Sequence, residues 1–284
     1  ETGRTFLTIN SSNVPTVNGD EKDCANIFLK LTNYHVKTFF IQNPETQDPI
    51  PISTLTEFIK FRNAVNAGET GSYKGIMNES GFAGKNFQLQ CDIDLAQSTY
   101  PTDQKAQTSN TNIKDDFLPV GTGSTNPFKG NFDGDNHTIS NLKINGNGTN
   151  NNVPNSYKAV FGYVLGSTIK NLNVKGNISS ASYAAGICAF IRGAESSNYA
   201  QIINCSFIGE VESTGSYVGG ICGYANNYTN IIDCEVSGRV AGGSTNIGGI
   251  AGYSGGTDDA RNYIENCINV ANVGGSSSVG GICG

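Results

Sequence analysis

Two carboxylate pairs stand out for the chemistry they could do: Asp92/Asp94 and Asp133/Asp135, the second followed by His137. Hydrolysis of a glycosidic bond uses two carboxyl groups about 5–10 Å apart across a groove. A Ca²⁺ site built from Asp133, Asp135 and Asn136 is a second use, yet the spacing and closing Glu of an EF-hand loop are missing. His35 and His137 are the only histidines, so a Ser-His-Asp or Cys-His site has little to draw on. Glu210, Glu212 and Glu235 read as solvated surface. No catalytic residue is assigned.

These residues must be positioned by repeats. One series reads Ala185-Gly186-Ile187-Cys188, Gly219-Gly220-Ile221-Cys222, Gly248-Gly249-Ile250-Ala251 and Gly280-Gly281-Ile282-Cys283. Between its members lies a second, Ile202-Ile203-Asn204-Cys205, Ile231-Ile232-Asp233-Cys234 and Ile264-Glu265-Asn266-Cys267. A period of about 30 residues, made of short strands and Gly turns, predicts stacked coils rather than separate domains. A lone coil cannot bury its inner face, whereas stacking makes one continuous core. The sequence aligns Leu142, Leu172, Cys205, Cys234 and Cys267 as one inward column, and Val164, Cys188, Cys222, Ala251 and Cys283 as another. Asn141, Asn171, Asn204, Asp233 and Asn266 form an amide column beside the first, suited to left-handed turns.

There are eight cysteines, which in a secreted chain suggest disulfides. Pairing within a coil would join Cys188 to Cys205 and Cys222 to Cys234, but leaves Cys267 opposite Ala251. Pairing up a column holds Cβ atoms near ~4.8 Å, beyond the ~3.8 Å of a disulfide. Cys188, Cys205, Cys222, Cys234, Cys267 and Cys283 are therefore expected as buried thiols that pack as small hydrophobes. Cys24 and Cys91 lie outside the columns and are the disulfide candidates. No Cys-x-x-Cys occurs, so zinc is not expected, and no other metal or cofactor is assigned. Sequons at Asn10, Asn78, Asn147, Asn177 and Asn227 are glycosylation candidates, though about as many arise by chance in so Asn-rich a chain.

Composition fits this picture. Of 284 residues 36 are Gly and only 15% are charged, with no Trp and one Met, a profile for strands and tight turns rather than a helical bundle. Net charge is −6 with no basic run, which argues against nucleic acid. No apolar stretch approaches the ~20 residues of a membrane span. The start at Glu1-Thr2-Gly3 reads as the scar of a removed secretion signal. The last repeat, Val279–Gly284, is cut short, as in a piece of a longer protein.

Residues 1–52 alternate moderately and read as a β-rich cap region, with strands around 5–9, 27–31 and 36–41. Pro44, Pro49 and Pro51 are expected to end it, since proline removes a ladder donor. Residues 53–86 hold a capping helix and a connection. Thr54-Leu55-Thr56-Glu57 is a capping-box pattern, Leu55, Phe58, Ile59, Phe61 and Val65 share one face, and Gly68 closes the helix. Residues 87–284 are the solenoid.

The stretch Phe128–Ile144, with Cys91-Asp92-Ile93-Asp94-Leu95 and Leu118-Pro119-Val120-Gly121 before it, resembles the lead-in module of GLUG-motif proteins. The Gly-Gly-Ile-Cys-Gly and Ile-x-Asn-Cys series resembles the GLUG repeats, so the resemblance covers about residues 52–284. It implies an all-β, right-handed parallel β-helix with one α-helix in its N-terminal cap, found in bacterial and some protist surface or secreted proteins. Some of these are IgA-cleaving proteases in which the repeats are not the catalytic part. The resemblance also makes Asp133–His137 a family turn, favouring structure over catalysis there. Fold is fixed better than function. The reading is a noncatalytic, extracellular, adhesin-like binding or stalk module with an unknown protein or glycan ligand, contacted through loops 97–116 and 146–157. A polysaccharide-degrading β-helix enzyme and a pure spacer are the alternatives.

Overall fold

The computed structural model describes residues 7–9, 15–17, 49–96, 117–145, 156–196, 198–257 and 259–284. The chain divides into two units, residues 1–48 and 49–284. In the first, Leu7–Ile9 pairs antiparallel with Pro15–Val17. The other strands expected there, and Cys24 and His35, lie outside the described residues. Among the described residues, the second unit is an all-β parallel solenoid with one α-helix, α1 (Leu55–Asn66).

Each coil has four sides. Sheet A stacks Ile50–Ile52, Asn86–Leu89, Asn131–Asp133, Thr168–Lys170, Ala200–Ile203, Thr229–Ile232 and Tyr263–Glu265, all parallel. Sheet B follows it round the coil and runs from Ile93–Asp94 through Thr138–Ile144, Asn173–Ser180, Ser206–Ser213 and Glu235–Gly242 to Ile268–Asn269. Sheet C is Ser156–Lys158, Ser182–Ala184, Val218–Gly219, Thr245–Gly248 and Ser277–Gly280. Sheet D is Phe161–Leu165, Cys188–Arg192, Cys222–Asn226 and Ala251–Gly255.

Apolar residues stack in columns in the interior. Ile169, Ile202, Ile231 and Ile264 form one column, and Val174, Phe207 and Val236 another. Except for Ile264, which is partly buried, these side chains have no exposed surface. Burying each is worth about 1.5–3 kcal/mol.

The parallel strands begin at Ile50, not at residue 87. Pro51 sits inside Ile50–Ile52 rather than ending a region. That strand is the edge of sheet A, where a missing N–H costs no ladder bond. The chain then leaves the sheet to form α1 and rejoins it at Asn86.

Thr54 Oγ1 accepts the Glu57 N–H at 3.1 Å, and Glu57 reaches back to the Ser53 N–H at 2.7 Å. These bonds satisfy donors that a helix start leaves open. Gly68 follows with φ of 61°, the left-handed exit glycine permits. The inner face of α1 seats Phe61 on Phe87 at 4.6 Å, Phe128 at 5.6 Å and Phe132 at 5.9 Å between ring centroids. The helix thus closes the aromatic interior of the first coils.

Candidate functional site

Asp92, Asp94 and Asp133 lie where sheet A turns into sheet B, and each is hydrogen-bonded by the neighbouring coil. Asp133 accepts the Asp135 N–H and the Asn171 amide on Oδ1, both at 2.9 Å, while Lys170 Nζ lies 3.2 Å from Oδ2. Asn204 then donates to Asn171 Oδ1 at 2.8 Å, so an Asp-Asn-Asn ladder climbs the corner. Partial burial pushes the Asp133 carboxyl up, but the Asn171, Asp135 and Lys170 contacts outweigh it and hold it below the usual carboxylate range.

Asp92 accepts the Thr138 N–H at 2.9 Å and faces His137 Nδ1 at 3.2 Å; both contacts lower its pKa, the backbone bond most. Asp94 is lowered by the Asn141 amide at 2.7 Å and the Ala96 N–H at 2.9 Å. Each of these three carboxylates ties its corner to the next coil, and Asp94 and Asp133 also close their own turns. No group of three or more His, Cys, Asp or Glu placed to hold a metal occurs among the described residues. Of the surface glutamates, Glu212 pairs with Arg239.

Asn171, Asn204, Asp233 and Asn266 share a left-handed corner with φ of 50–54°. Asn141 and Leu142 do not belong to these columns. Residues 134–137 form a corner two residues longer than Asn171-Leu172, and Gly134 stands against the Asn171–Leu172 backbone. Leu142 instead stacks on Gly176 beyond a bulge in sheet B. Val164 likewise stacks on Ile191; the residue below Cys188 is Phe161, whose ring packs on Phe128 and Phe132. The earlier coils depart from these columns because they carry Phe and an extra-long turn where later coils carry Cys and Asn.

Cys188, Cys205, Cys222 and Cys234 are buried, whereas Cys267 and Cys283 are only partly so, because no described strand stacks beyond theirs. All six are free thiols. Cys205, Cys234 and Cys267 donate to the carbonyls of Ile203, Ile232 and Glu265 at 3.2–3.3 Å. Burial pushes the Cys188 and Cys222 thiols up, and the neighbouring thiol Cys205 does the same to Cys234; such groups are poor nucleophiles. Cys91 is a free thiol 3.1 Å from the Ser53 carbonyl; its candidate partner Cys24 is outside the described residues.

Asn78 leaves the glycosylation candidates. It is 1% exposed, and its amide nitrogen donates to Ala64 and Val65 at the end of α1. Asn177 is exposed and Asn227 half-buried. Asn10 and Asn147, like most of the loops 97–116 and 146–157, lie outside the described residues.

Sequence reasoning missed the most distinctive surface feature. Tyr157, Tyr183 and Tyr217 stack on sheet C with centroids 4.9 and 4.8 Å apart. Beside them Tyr163, Phe190, Tyr224 and Tyr253 stack on sheet D at 4.3, 5.5 and 4.7 Å. The rows interlock edge to face, as Tyr157 meets Tyr163 at 80° and Tyr217 meets Tyr224 at 69°. All seven rings are half-buried, and Tyr157 and Tyr183 roof a small buried cluster of Ala159, Ala185 and Ala189.

Tyr157, Tyr183 and Tyr217 have φ of 62°, 52° and 65°, a left-handed conformation that costs a bulky residue on the order of 1–2 kcal/mol. The same column continues with Asn246 and Ser278, also at positive φ. The corner therefore demands the conformation, and three coils nonetheless place tyrosine there. Burial pushes the phenols of Tyr157, Tyr163, Tyr183 and Tyr224 up, so they stand as neutral hydroxyls. The signal was in the sequence as Ser156-Tyr157, Ser182-Tyr183 and Ser216-Tyr217, each a few residues before a second aromatic.

Fold and surface together define a parallel β-solenoid module with a stacked aromatic face. Residues 214–241 match the family model described as the GLUG motif, which places the motif on the Tyr217 coil. The comparison with curated proteins finds no match. Among solved structures, the chain is similar to a "putative immunoglobulin A1 protease from Bacteroides ovatus", with a TM-score of 0.55 and 22% identity. The likeness covers 83% of this chain and 61% of that one, and at this identity it shows the fold alone.

Proposed function

We propose that this chain is a noncatalytic binding module of a surface or secreted protein, adhesin-like, that meets its partner through the tyrosine face. The observation that carries this reading is the strained Tyr157-Tyr183-Tyr217 column. Strain at a surface position points to use of the side chain. Tyrosine gives a large, rigid contact area with a hydroxyl at its wet end. A solenoid holds such groups at the ~4.8 Å strand spacing and projects them from a surface. The noncatalytic reading is supported by Asp92, Asp94 and Asp133, each engaged by a hydrogen-bond donor of the neighbouring coil.

The test is a glycan and host-protein binding array probed with the chain and with a Tyr157→Asn/Tyr183→Asn/Tyr217→Asn variant. Asn246 already occupies this column at φ of 64°, so the variant is expected to fold. Partners captured by the chain should be lost by the variant. Undiminished capture by a folded variant would remove the tyrosine face from the function, and no capture by the chain itself would favour the spacer.

A further inference from the structure

Two clefts at the other end of sheet D carry an inference independent of the tyrosine face. The outer, about 340 Å³, is lined by Lys129, Leu165, Arg192 and Asn198 among small residues, with no carboxylate in its wall. The inner, about 440 Å³, shares Lys129 and Leu165 with it, so the two adjoin as one groove. Its wall includes Asn78, Ser80 and a single acid, Glu69. The volumes fall in the range of small-ligand sites.

The charges here are uncommitted. Ion pairs among the described residues engage Lys74, His137, Lys170 and Arg239, not Lys129 or Arg192. Lys129 Nζ makes one long bond, 3.3 Å, to Ser80 Oγ, and Arg192 is exposed. In a chain of net charge −6 with 18 basic residues, two cations on one acid-free cleft are a local exception that favours an anionic ligand. A second observation comes from the inner cleft. Asn78 is 1% exposed, and its Oδ1 is buried without a hydrogen-bond partner. Leaving a buried acceptor unpaired is destabilising, and a hydroxyl seated in the cleft can supply the donor.

We propose that this groove binds an acidic saccharide, its carboxylate or sulfate facing Lys129 and Arg192 and its hydroxyls facing the amides of Asn198 and Asn78. Arg192 offers a planar fork suited to a two-oxygen anion and Lys129 a point charge. Neutral sugars of the same size lack the anion and bind weakly.

Titration followed by ¹H–¹⁵N NMR tests this with three probes: glucuronic acid, a sulfated glucosamine and neutral glucose. Both acidic probes, or one of them, should shift amides around Gly166 and Gly193 at concentrations up to about 10 mM, where glucose does not. The pattern across the two acids tells carboxylate from sulfate recognition. Arg192→Ala and Lys129→Ala should each weaken binding by about tenfold or more, the usual loss for a charge-assisted bond, with an unchanged melting temperature. Arg192→Lys should restore part of it. The proposal is overturned if no probe binds, if glucose binds as well as the acids, or if folded Arg192→Ala and Lys129→Ala proteins bind undiminished.

Discussion

At the scale of single residues, groups that look reactive in the sequence are held as structure. Asp133 shows how: three partners, Asp135, Asn171 and Lys170, surround one carboxylate, and Asn204 in turn holds Asn171. Its pKa is depressed in the fold, as are those of Asp92 and Asp94. An unfolded aspartate titrates near ~3.9, so below that value the unfolded chain binds protons that the fold does not. The stabilisation is therefore complete above the unfolded pKa and is lost as pH falls through the folded value. Asp133→Asn removes the charge and keeps the shape. Its melting temperature should lie below that of the parent at neutral pH, and the gap should close on acidification toward pH ~3. A gap that stays constant from neutral to acid pH would mean that the Asp133 charge contributes nothing. Why these aspartates are structural was half legible: Asp-Gly-Asp-Asn reads as a turn, but the cross-coil partners Asn171 and Asn204 follow only from the register.

At the scale of elements, the strands, α1 and the register of the later coils were legible, and the register of the first coils was not. Alternation marks Val174, Phe207 and Val236 as inward wherever the strand begins. The capping box needs only local residues. Register depends on corner length, and the corner at 134–137 is longer than its successors, which displaced Leu142 from the column assigned to it. The tyrosine rows were hidden for another reason: a residue that repeats on the outside of a coil has no apolar alternation to announce it.

Sheet B shows how tightly register is then enforced. Gly176, Gly209 and Gly238 stack at one position, Gly209 and Gly238 having φ of 151° and 110°. A Cβ on Gly209 would fall within 2 Å of the Gly176 carbonyl oxygen. Gly209→Ala should therefore destabilise the solenoid by well over the ~1 kcal/mol that glycine-to-alanine changes usually involve. Denaturant unfolding measures this, and a loss below ~1 kcal/mol would show that the strands can slide apart at the glycine column.

At the scale of the whole molecule, the two ends of the solenoid differ. At the first coils α1 lays Phe58, Ile59, Phe61 and Val65 onto the interior, and none of these has exposed surface. At the last coil the columns run out into solvent. Val218 and Ile247 are fully buried while Val279, next in their column, is 45% exposed. Ile221 and Ile250 are fully buried while Ile282, the corresponding residue of the next coil, is 40% exposed. Cys267 and Cys283 are half-open for the same reason. A solenoid's stability is close to a sum of coil terms and nearest-neighbour interfaces, so the last coil holds one interface where inner coils hold two. Appending one further coil, copied from residues 214–241 and their continuation to 250, would cover Val279 and Ile282. Each buried side chain of this size contributes about 1.5–3 kcal/mol before the ordering entropy of the new residues is subtracted. The net gain should raise the melting temperature by on the order of a few degrees and reduce binding of a hydrophobic dye at that end. The gain should vanish when the appended coil carries Asp at the positions facing Val279 and Ile282. A rise that survives those substitutions would place the stabilisation elsewhere than in stacking, and no rise from a coil shown to be folded would mean that the interfaces of this solenoid do not add.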